Sequence, residues 1–140
     1  MVELRWGMPS LDVGPGGQRF VRSEGRQFRS HRCLVPASTF QVMRNGRAFH
    51  VTLEDGNWFY LTGVWQPAKG DWPEAFAIVT VPANPEVARY QDRQGAVIRR
   101  NRHMAWLDDS LPEEELLQPL SPGSFLIRPA NEALQLGLAL

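Results

Sequence analysis

The first fifty residues contain the sequence's one cysteine, two of its three histidines and eight arginines. Cys33 would be a nucleophile if a base activated it, and with His31, His50 and His103 it is a candidate metal ligand. Cys33 lies in the apolar run of residues 33–35, which favours a buried, inert thiol. The spacing of His31 and Cys33 is not backed by a second ligand pair. We therefore expect no metal, no cofactor and no catalysis by Cys33.

The arginines favour another chemistry, the binding of phosphate. Fourteen of the fifteen basic residues are Arg, whose planar guanidinium donates two parallel hydrogen bonds to a phosphate. Residues 1–50 carry a net charge of +5 and residues 89–102 of +4, whereas the segments that follow them carry −4 and −5. If the two basic segments meet, they form a positive groove. The alternative is a GC-rich genome that favours Arg codons, with solvated charges.

Length and composition indicate a globular protein. We expect the 140 residues to form one domain, 1–140, with 43% hydrophobic residues to build its core. The single cysteine excludes an internal disulfide and suits a reducing compartment. No apolar run approaches the ~20 residues of a membrane helix, and no leader opens the chain. We expect a cytoplasmic protein that does not contact membranes.

The pattern of apolar residues predicts an α+β fold, mainly antiparallel β-sheet and barrel-like, with short helices. Residues 32–40 read as a buried strand that bends at Pro36 and leaves the sheet. Asn84-Pro85 predicts a helix start, and further short helices are predicted over 101–108 and 112–117. The other predicted strands cover residues 2–6, 20–24, 48–53, 58–65, 75–81, 96–98 and 125–127, with 75–81 as a central one.

Two local signals make more specific predictions. Asp55-Gly56 is typical of a tight turn, so residues 58–65 are predicted to return beside 48–53 as a hairpin. Arg22, Arg26 and Arg29 follow one another at spacings of three to four. This spacing predicts a helical turn that presents the three arginines on one face.

Seven motifs, in the same order, resemble those of the SRAP family (SOS response-associated peptidase, the abasic-site-processing proteins). Their order and spacing hold over about residues 5–130, and the segment 32–40 is the most specific. In chain order they are Trp6-Gly7-Met8-Pro9 (WGLIP in the family), residues 20–24 (NARSET), 32–40 (RCLVPASGF), 63–65 (AGLWE), 76–85 (FTIITTPANP), Gln91-Asp92-Arg93 (HDRMP) and 106–108 (RWLD).

The resemblance implies a function in the response to DNA damage. Members of the family bind abasic sites in single-stranded DNA and link covalently to the sugar aldehyde. The link is a thiazolidine ring, made by the cysteine that follows the initiator methionine. An Asn, a Glu and a His surround the site and transfer protons. The same cysteine underlies the family's peptidase label.

This sequence departs from the family at each of those positions. Residue 2 is Val2, and the segment that precedes the first motif in the family is absent, so we expect a truncated member. The family's Asn, Glu and His correspond to Phe20, Val42 and Gln91. None of these three side chains titrates, and those of Phe20 and Val42 form no hydrogen bonds. We therefore assign no catalytic residue.

The matching positions indicate DNA binding. Arg22 corresponds to a family arginine that contacts phosphate, with Glu24 expected to orient it, and we add Arg26 and Arg29 as further contacts. Trp6 offers a face for an unpaired base, or else is a core tryptophan. Arg93 is a DNA contact, or else a structural ion-pair partner.

Three functions follow from these observations. The first is a catalytically degenerate SRAP-like protein that binds single-stranded DNA without a covalent link. The alternative is an interaction or assembly module, for example a phage-derived homo-oligomer that pairs through an open sheet edge. The third is an active peptidase or DNA–protein crosslinking enzyme.

Overall fold

Two β-sheets and three short helices make up the computed structural model, which describes residues 2–9 and 17–130. The larger sheet contains β1 (Arg5–Trp6), β2 (Phe20–Arg22), β3 (Arg32–Ala37), β6 (Phe59–Gln66), β7 (Ala75–Pro82), β8 (Arg93–Gly95) and β9 (Val97–Ile98). The smaller sheet contains β4 (Phe40–Arg44), β5 (Arg47–Leu53) and β10 (Phe125–Pro129). The α+β class is confirmed, and the strands that are described form two sheets that do not close into a barrel.

Strand β7 is the centre of the larger sheet, as the apolar run at residues 75–81 predicts. It pairs antiparallel with β6 and β8 and parallel with β1 and β2. Ala75, Ala77 and Val79 are buried on one face of this sheet. Phe76 and Ile78 alternate with them and lie on the other face, towards the smaller sheet.

The predicted hairpin at Asp55-Gly56 is wrong, because β5 and β6 belong to different sheets. The turn itself forms: Gly56 has φ +77° and its N–H donates to the Leu53 carbonyl at 3.0 Å. After the turn, however, Phe59 enters the larger sheet, where β6 pairs with β3, β7 and β9. Strand β5 pairs with β4 and β10 instead. Leu53 and Phe59 both pack into the core between the sheets, so their burial drives this arrangement.

Strand β3 ends at the proline bend, as predicted, although its residues are mostly half-buried. It pairs only with β6 among the described strands, so it is an edge strand, where a proline without an N–H is tolerated. Two residues separate the end of β3 from Phe40, which begins β4 in the smaller sheet. The chain therefore leaves one sheet for the other where the sequence predicts.

The three helices are short and cover the sheets. Helix α1 (Pro85–Ala88) begins at the predicted cap, where Asn84 Oδ1 accepts from the Val87 N–H at 3.0 Å. A 3-10 turn at 100–102 leads into α2 (His103–Asp108), and α3 (Glu113–Leu116) follows. Trp106 of α2 is fully buried, and its Nε1 donates to the Cys33 carbonyl at 3.0 Å. No helix in the described ranges is long and apolar enough to cross a membrane.

The helical turn predicted from Arg22, Arg26 and Arg29 is wrong. Residues 23–31 form no helix, and Gly25 adopts φ +73°, a left-handed conformation that interrupts a right-handed helix. The Arg26 N–H donates to the Ser23 carbonyl in a single turn. The spacing of the arginines is therefore not a helical period.

Candidate nucleic-acid groove

A groove of about 840 Å³ lies on the face of the larger sheet that carries Phe76 and Ile78. We call it the aromatic groove. Strands β1, β2, β7 and β8 contribute Trp6, Phe20, Phe76 and Arg93 to its lining, and Arg22 lies there at the end of β2. These residues come together because β1 and β2 both pair with β7, which brings segments far apart in the sequence side by side.

Three aromatic rings form one wall of the groove. Trp6 and Phe76 are nearly parallel, with ring centroids 6.4 Å apart, and Phe20 meets Trp6 edgewise at 5.5 Å. Trp6 Nε1 donates to the Arg19 carbonyl at 2.9 Å, which fixes the indole. Trp6 is exposed rather than a core residue, and Phe20 is 51% exposed. Solvent-exposed rings held in this way are suited to stack on a planar ligand.

Arg93 forms a bidentate ion pair with Glu24. Its two terminal nitrogens donate to the two carboxylate oxygens at 2.9 Å each. The same guanidinium donates to Thr80 twice, from Nε to Oγ1 at 3.1 Å and from a terminal nitrogen to the carbonyl at 2.7 Å. The hydrogen bonds from Arg93 lower the pKa of Glu24. Of the two alternatives for Arg93, the geometry is that of an ion-pair partner.

The expectation that Glu24 orients Arg22 is wrong. Glu24 gives both of its oxygens to Arg93, and Arg22 acts on Glu24 only through charge at longer range. Arg22 is exposed and makes no ion pair with any residue that the structure describes. It remains open to a ligand in the groove.

The structure brings two of the three family reaction positions to the groove. Phe20 and Gln91 line it, and Gln91 Nε2 donates to the Arg93 carbonyl at 2.7 Å. Val42, by contrast, is fully buried in the core between the sheets, and its neighbour Gln41 lines the groove. Asp92 supplies a carboxylate to the groove lining.

Cys33 lies outside the groove lining and is half-buried on β3. Burial raises the pKa of its thiol to about 11, so the thiolate is scarce at neutral pH. Among the described residues, no cluster of three His, Cys, Asp or Glu side chains could hold a metal ion.

Arg26 and Arg29 do not reach the aromatic groove. They lie with His31 and Trp65 around a separate hollow, which the buried face of β2 also borders through Val21. Since Phe20 and Val21 point to opposite faces of the strand, this hollow lies on the other side of the sheet. The six residues predicted to bind DNA are therefore divided. Trp6, Arg22 and Arg93 line the groove, and Glu24 is joined to it through its ion pair with Arg93. Arg26 and Arg29 lie away from the groove.

The two basic segments meet at the aromatic groove, but the positive charge that they bring there is partly compensated. Each basic segment contributes one arginine to ion pairs with an acidic segment: Arg32 pairs with Asp109 and Glu113, and Arg99 pairs with Glu54 and Asp55. Opposite charges pair across the fold because this is more favourable than gathering like charges on one surface. Arg22 and Arg93 do lie at the same groove, but Glu24 compensates Arg93.

Sequence reasoning missed one residue of the groove, Phe76, and one structural residue on the opposite face of the sheet, Arg32. Phe76 was part of an apolar run, but the alternation along β7 could have placed it opposite the core face. Arg32, the first residue of the most specific motif, was not singled out. Its side chain is only 8% exposed, and it binds Glu113 at 2.7 Å.

Several solved structures are similar to this chain. A protein from Bacteroides thetaiotaomicron has a TM-score of 0.64 and 21% identity over 83% of this chain and 60% of its own. A protein from Bordetella bronchiseptica has a TM-score of 0.73 and 17% identity, and the match covers 91% of this chain and 75% of that protein. A phage-related protein from the same organism has a TM-score of 0.63 and 18% identity, and the match covers 91% of this chain and 70% of that protein. At these identities the likeness shows the fold alone, and no curated protein matches the sequence.

The chain spans 60 to 75% of the length of these three structures. The family comparison is more specific. The sequence profile of SOS response associated peptidase (SRAP) matches residues 24–135, which include β3, β7 and the Gln91-Asp92-Arg93 segment of the groove. Together with the shared fold, this match shows that the chain belongs to the SRAP family.

Proposed function

We propose that this SRAP-family chain binds single-stranded DNA in the aromatic groove without forming a covalent link. The observation that carries the proposal is the exposed Phe20–Trp6 pair beside Arg22 in one groove of 840 Å³. Proteins that bind single strands combine aromatic platforms for bases with cations along the backbone. We propose further that residues 1–140 form one domain, which is cytoplasmic and functions in the response to DNA damage.

Two kinds of contact would contribute to the free energy of binding: base stacking on the aromatic rings and ionic contact with phosphate. A base on an exposed aromatic ring contributes about 1–3 kcal/mol. Arg22 can donate two hydrogen bonds to one phosphate, because no described acid competes for it. With Arg93 compensated by Glu24, we expect few phosphate contacts and therefore modest affinity.

The side chains in the groove support binding rather than reaction. Phe20 cannot exchange a proton, and the Gln91 amide does not titrate in the physiological range. Val42 is buried away from the groove, and the raised pKa of Cys33 disfavours a nucleophilic thiolate. We therefore propose no catalytic residue.

A salt titration tests the proposal. Fluorescence anisotropy of labelled oligothymidylate should show binding at low salt that weakens with a log–log slope of about −0.7 per phosphate contact. Duplex DNA of the same length, whose bases are stacked internally, serves as the control and should bind more weakly. No binding of the single strand at low salt contradicts the proposal.

A second candidate function is self-association through the smaller sheet. In that sheet β4 and β10 are the outer strands, and each carries an exposed apolar residue, Met43 and Leu126. Outer strands have unpaired backbone groups that can pair with a second copy. Sedimentation equilibrium decides: a concentration-dependent dimer favours this candidate, and a monomer at high concentration excludes it.

A covalent reaction has its own test. Incubation with single-stranded DNA that contains an abasic site, followed by a denaturing gel, should leave the protein band unshifted. A shifted band that survives denaturation would show that a reactive group is present and would overturn the proposed loss of chemistry.

A further inference from the structure

We propose that the aromatic groove selects nucleotides that carry a base over those that lack one. This inference rests on the proposed binding of single-stranded DNA and specifies its ligand as an unpaired nucleobase. It follows from how apolar, uncharged polar and charged side chains are distributed in the groove, which is within the ~300–1,000 Å³ range of small-molecule sites.

The apolar part of the groove offers surface to a flat ring. Phe20 is half exposed and touches Trp6 only edgewise, so much of its ring is open. Phe76 lies beside Trp6, and Leu61 also lines the groove. A nucleobase can cover this surface and stack on it, whereas a sugar without a base has no aromatic face to offer.

The polar part consists largely of uncharged groups. Gln91 uses its Nε2 to donate to the Arg93 carbonyl, which leaves its Oε1 as an acceptor. Gln41 lines the same groove, and its amide nitrogen has only a 3.4 Å contact with the Met43 sulfur. Amides supply both donors and acceptors, and so do the edges of unpaired bases.

The charges place the phosphate on the side of the groove that Arg22 lines. Arg93 is compensated by Glu24 and uses its donors on Glu24 and Thr80, so it offers no unpaired positive charge. Asp92 on the groove lining repels a phosphate. Arg22 is the groove arginine without an ion pair among the described residues. We infer a base inside the groove and its phosphate against Arg22.

The test compares two strands that carry identical phosphates. Anisotropy titrations use labelled oligothymidylate and an oligomer of equal length whose units are all tetrahydrofuran, a stable sugar without a base. We expect oligothymidylate to bind about 5- to 150-fold more tightly, as one stacked base allows. Equal binding, or tighter binding of the baseless strand, overturns this inference and leaves the proposed function standing. Binding of neither strand overturns both.

Two variants separate the base contact from the phosphate contact. Phe20→Ala should reduce the ratio of the two affinities at least fivefold, whereas Phe20→Tyr, which keeps the ring, should preserve it. Arg22→Gln should weaken both strands to a similar extent and leave the ratio unchanged, because both strands carry the same phosphates. Thermal unfolding midpoints close to that of the wild type show that the variants fold. A ratio that Phe20→Ala leaves unchanged contradicts a base seated on Phe20.

Discussion

Two arginine–carboxylate pairs of similar chemistry lie on opposite faces of the larger sheet and differ in burial. In the Arg32–Glu113 pair the side chains are 8% and 15% exposed, and in the Arg93–Glu24 pair they are 21% and 53% exposed. The first pair is enclosed by protein, and the second borders the aromatic groove. Arg32 is therefore an arginine enclosed in the fold, whereas Arg93 lines the aromatic groove.

The buried pair joins four parts of the chain. Arg32 on β3 donates to the carbonyls of Phe28 and Trp106, and its guanidinium lies 4.4 Å from the centre of the Trp106 ring. Glu113 of α3 accepts from Arg32 and also from the Phe28 N–H, both at 2.7 Å. Loss of the arginine would leave the Glu113 carboxylate nearly buried and without its cation, which is costly.

The largest effect is therefore expected at Arg32. Replacing it by Met keeps much of its volume but removes its charge, and should lower the free energy of unfolding by about 3–5 kcal/mol. Urea titration followed by tryptophan fluorescence measures the change. The matched control is Arg29→Met on the nearby loop, an exposed site where a change within about 0.5 kcal/mol is expected. A loss below about 1 kcal/mol at Arg32 would remove the distinction between the pairs.

The corresponding change at the groove should cost less. Arg93→Met removes the bonds to Glu24 and Thr80, but Glu24 is then free to be hydrated by water. We expect a loss of about 1–2 kcal/mol in the same urea titration. A loss equal to that of Arg32→Met would mean that the groove pair also carries the fold, contrary to its exposure.

DNA binding, unlike stability, should be sensitive to a change at the groove and insensitive to a change on the other face of the sheet. Arg22→Gln is expected to reduce the magnitude of the log–log salt slope of oligothymidylate binding by about 0.7, one phosphate contact. Arg29→Gln, on the other face of the sheet, should leave the slope unchanged. Equal reductions in the two variants would indicate that bound DNA does not distinguish the two faces.

The smallest effect concerns pH. Arg93 lowers the pKa of Glu24 below its ordinary value of 4.5, so the carboxylate stabilises the folded state above pH 4.5 and this contribution is lost as the pH falls through the lowered pKa. Glu24→Gln should therefore unfold at a lower temperature than the wild type at pH 6. The difference should shrink as the pH falls from 4.5 towards 3. A difference that is constant with pH contradicts the ion pair.

The sequence predicts the parts of the fold that depend on local pattern. The apolar run at 75–81 becomes the central strand, and Asn84 caps α1 as its neighbours indicate. Strand partners depend on tertiary packing instead, and alternation alone could not show that β5 and β6 pair in different sheets. The turn predicted at Asp55-Gly56 forms, but the strands on either side of it do not pair with each other.

The same division holds for the groove. The family motifs assign Trp6, Arg22 and Arg93 to DNA binding, and the structure brings these three residues to one groove. The partner of Glu24 could not be predicted from its neighbours, since Arg93 lies 69 residues away. Arg26 and Arg29 were assigned to DNA from spacing, but the left-handed Gly25 breaks that periodicity.

We propose that single-stranded DNA binds to the aromatic groove and not to the opposite face of the sheet. Amide chemical-shift mapping of labelled protein with oligothymidylate tests it most directly. We expect the largest shifts on Trp6, on β2 and on residues 91–95, with small changes at residues 26–31 around the other hollow. Shifts concentrated at residues 26–31 with β2 and β8 unchanged would contradict it.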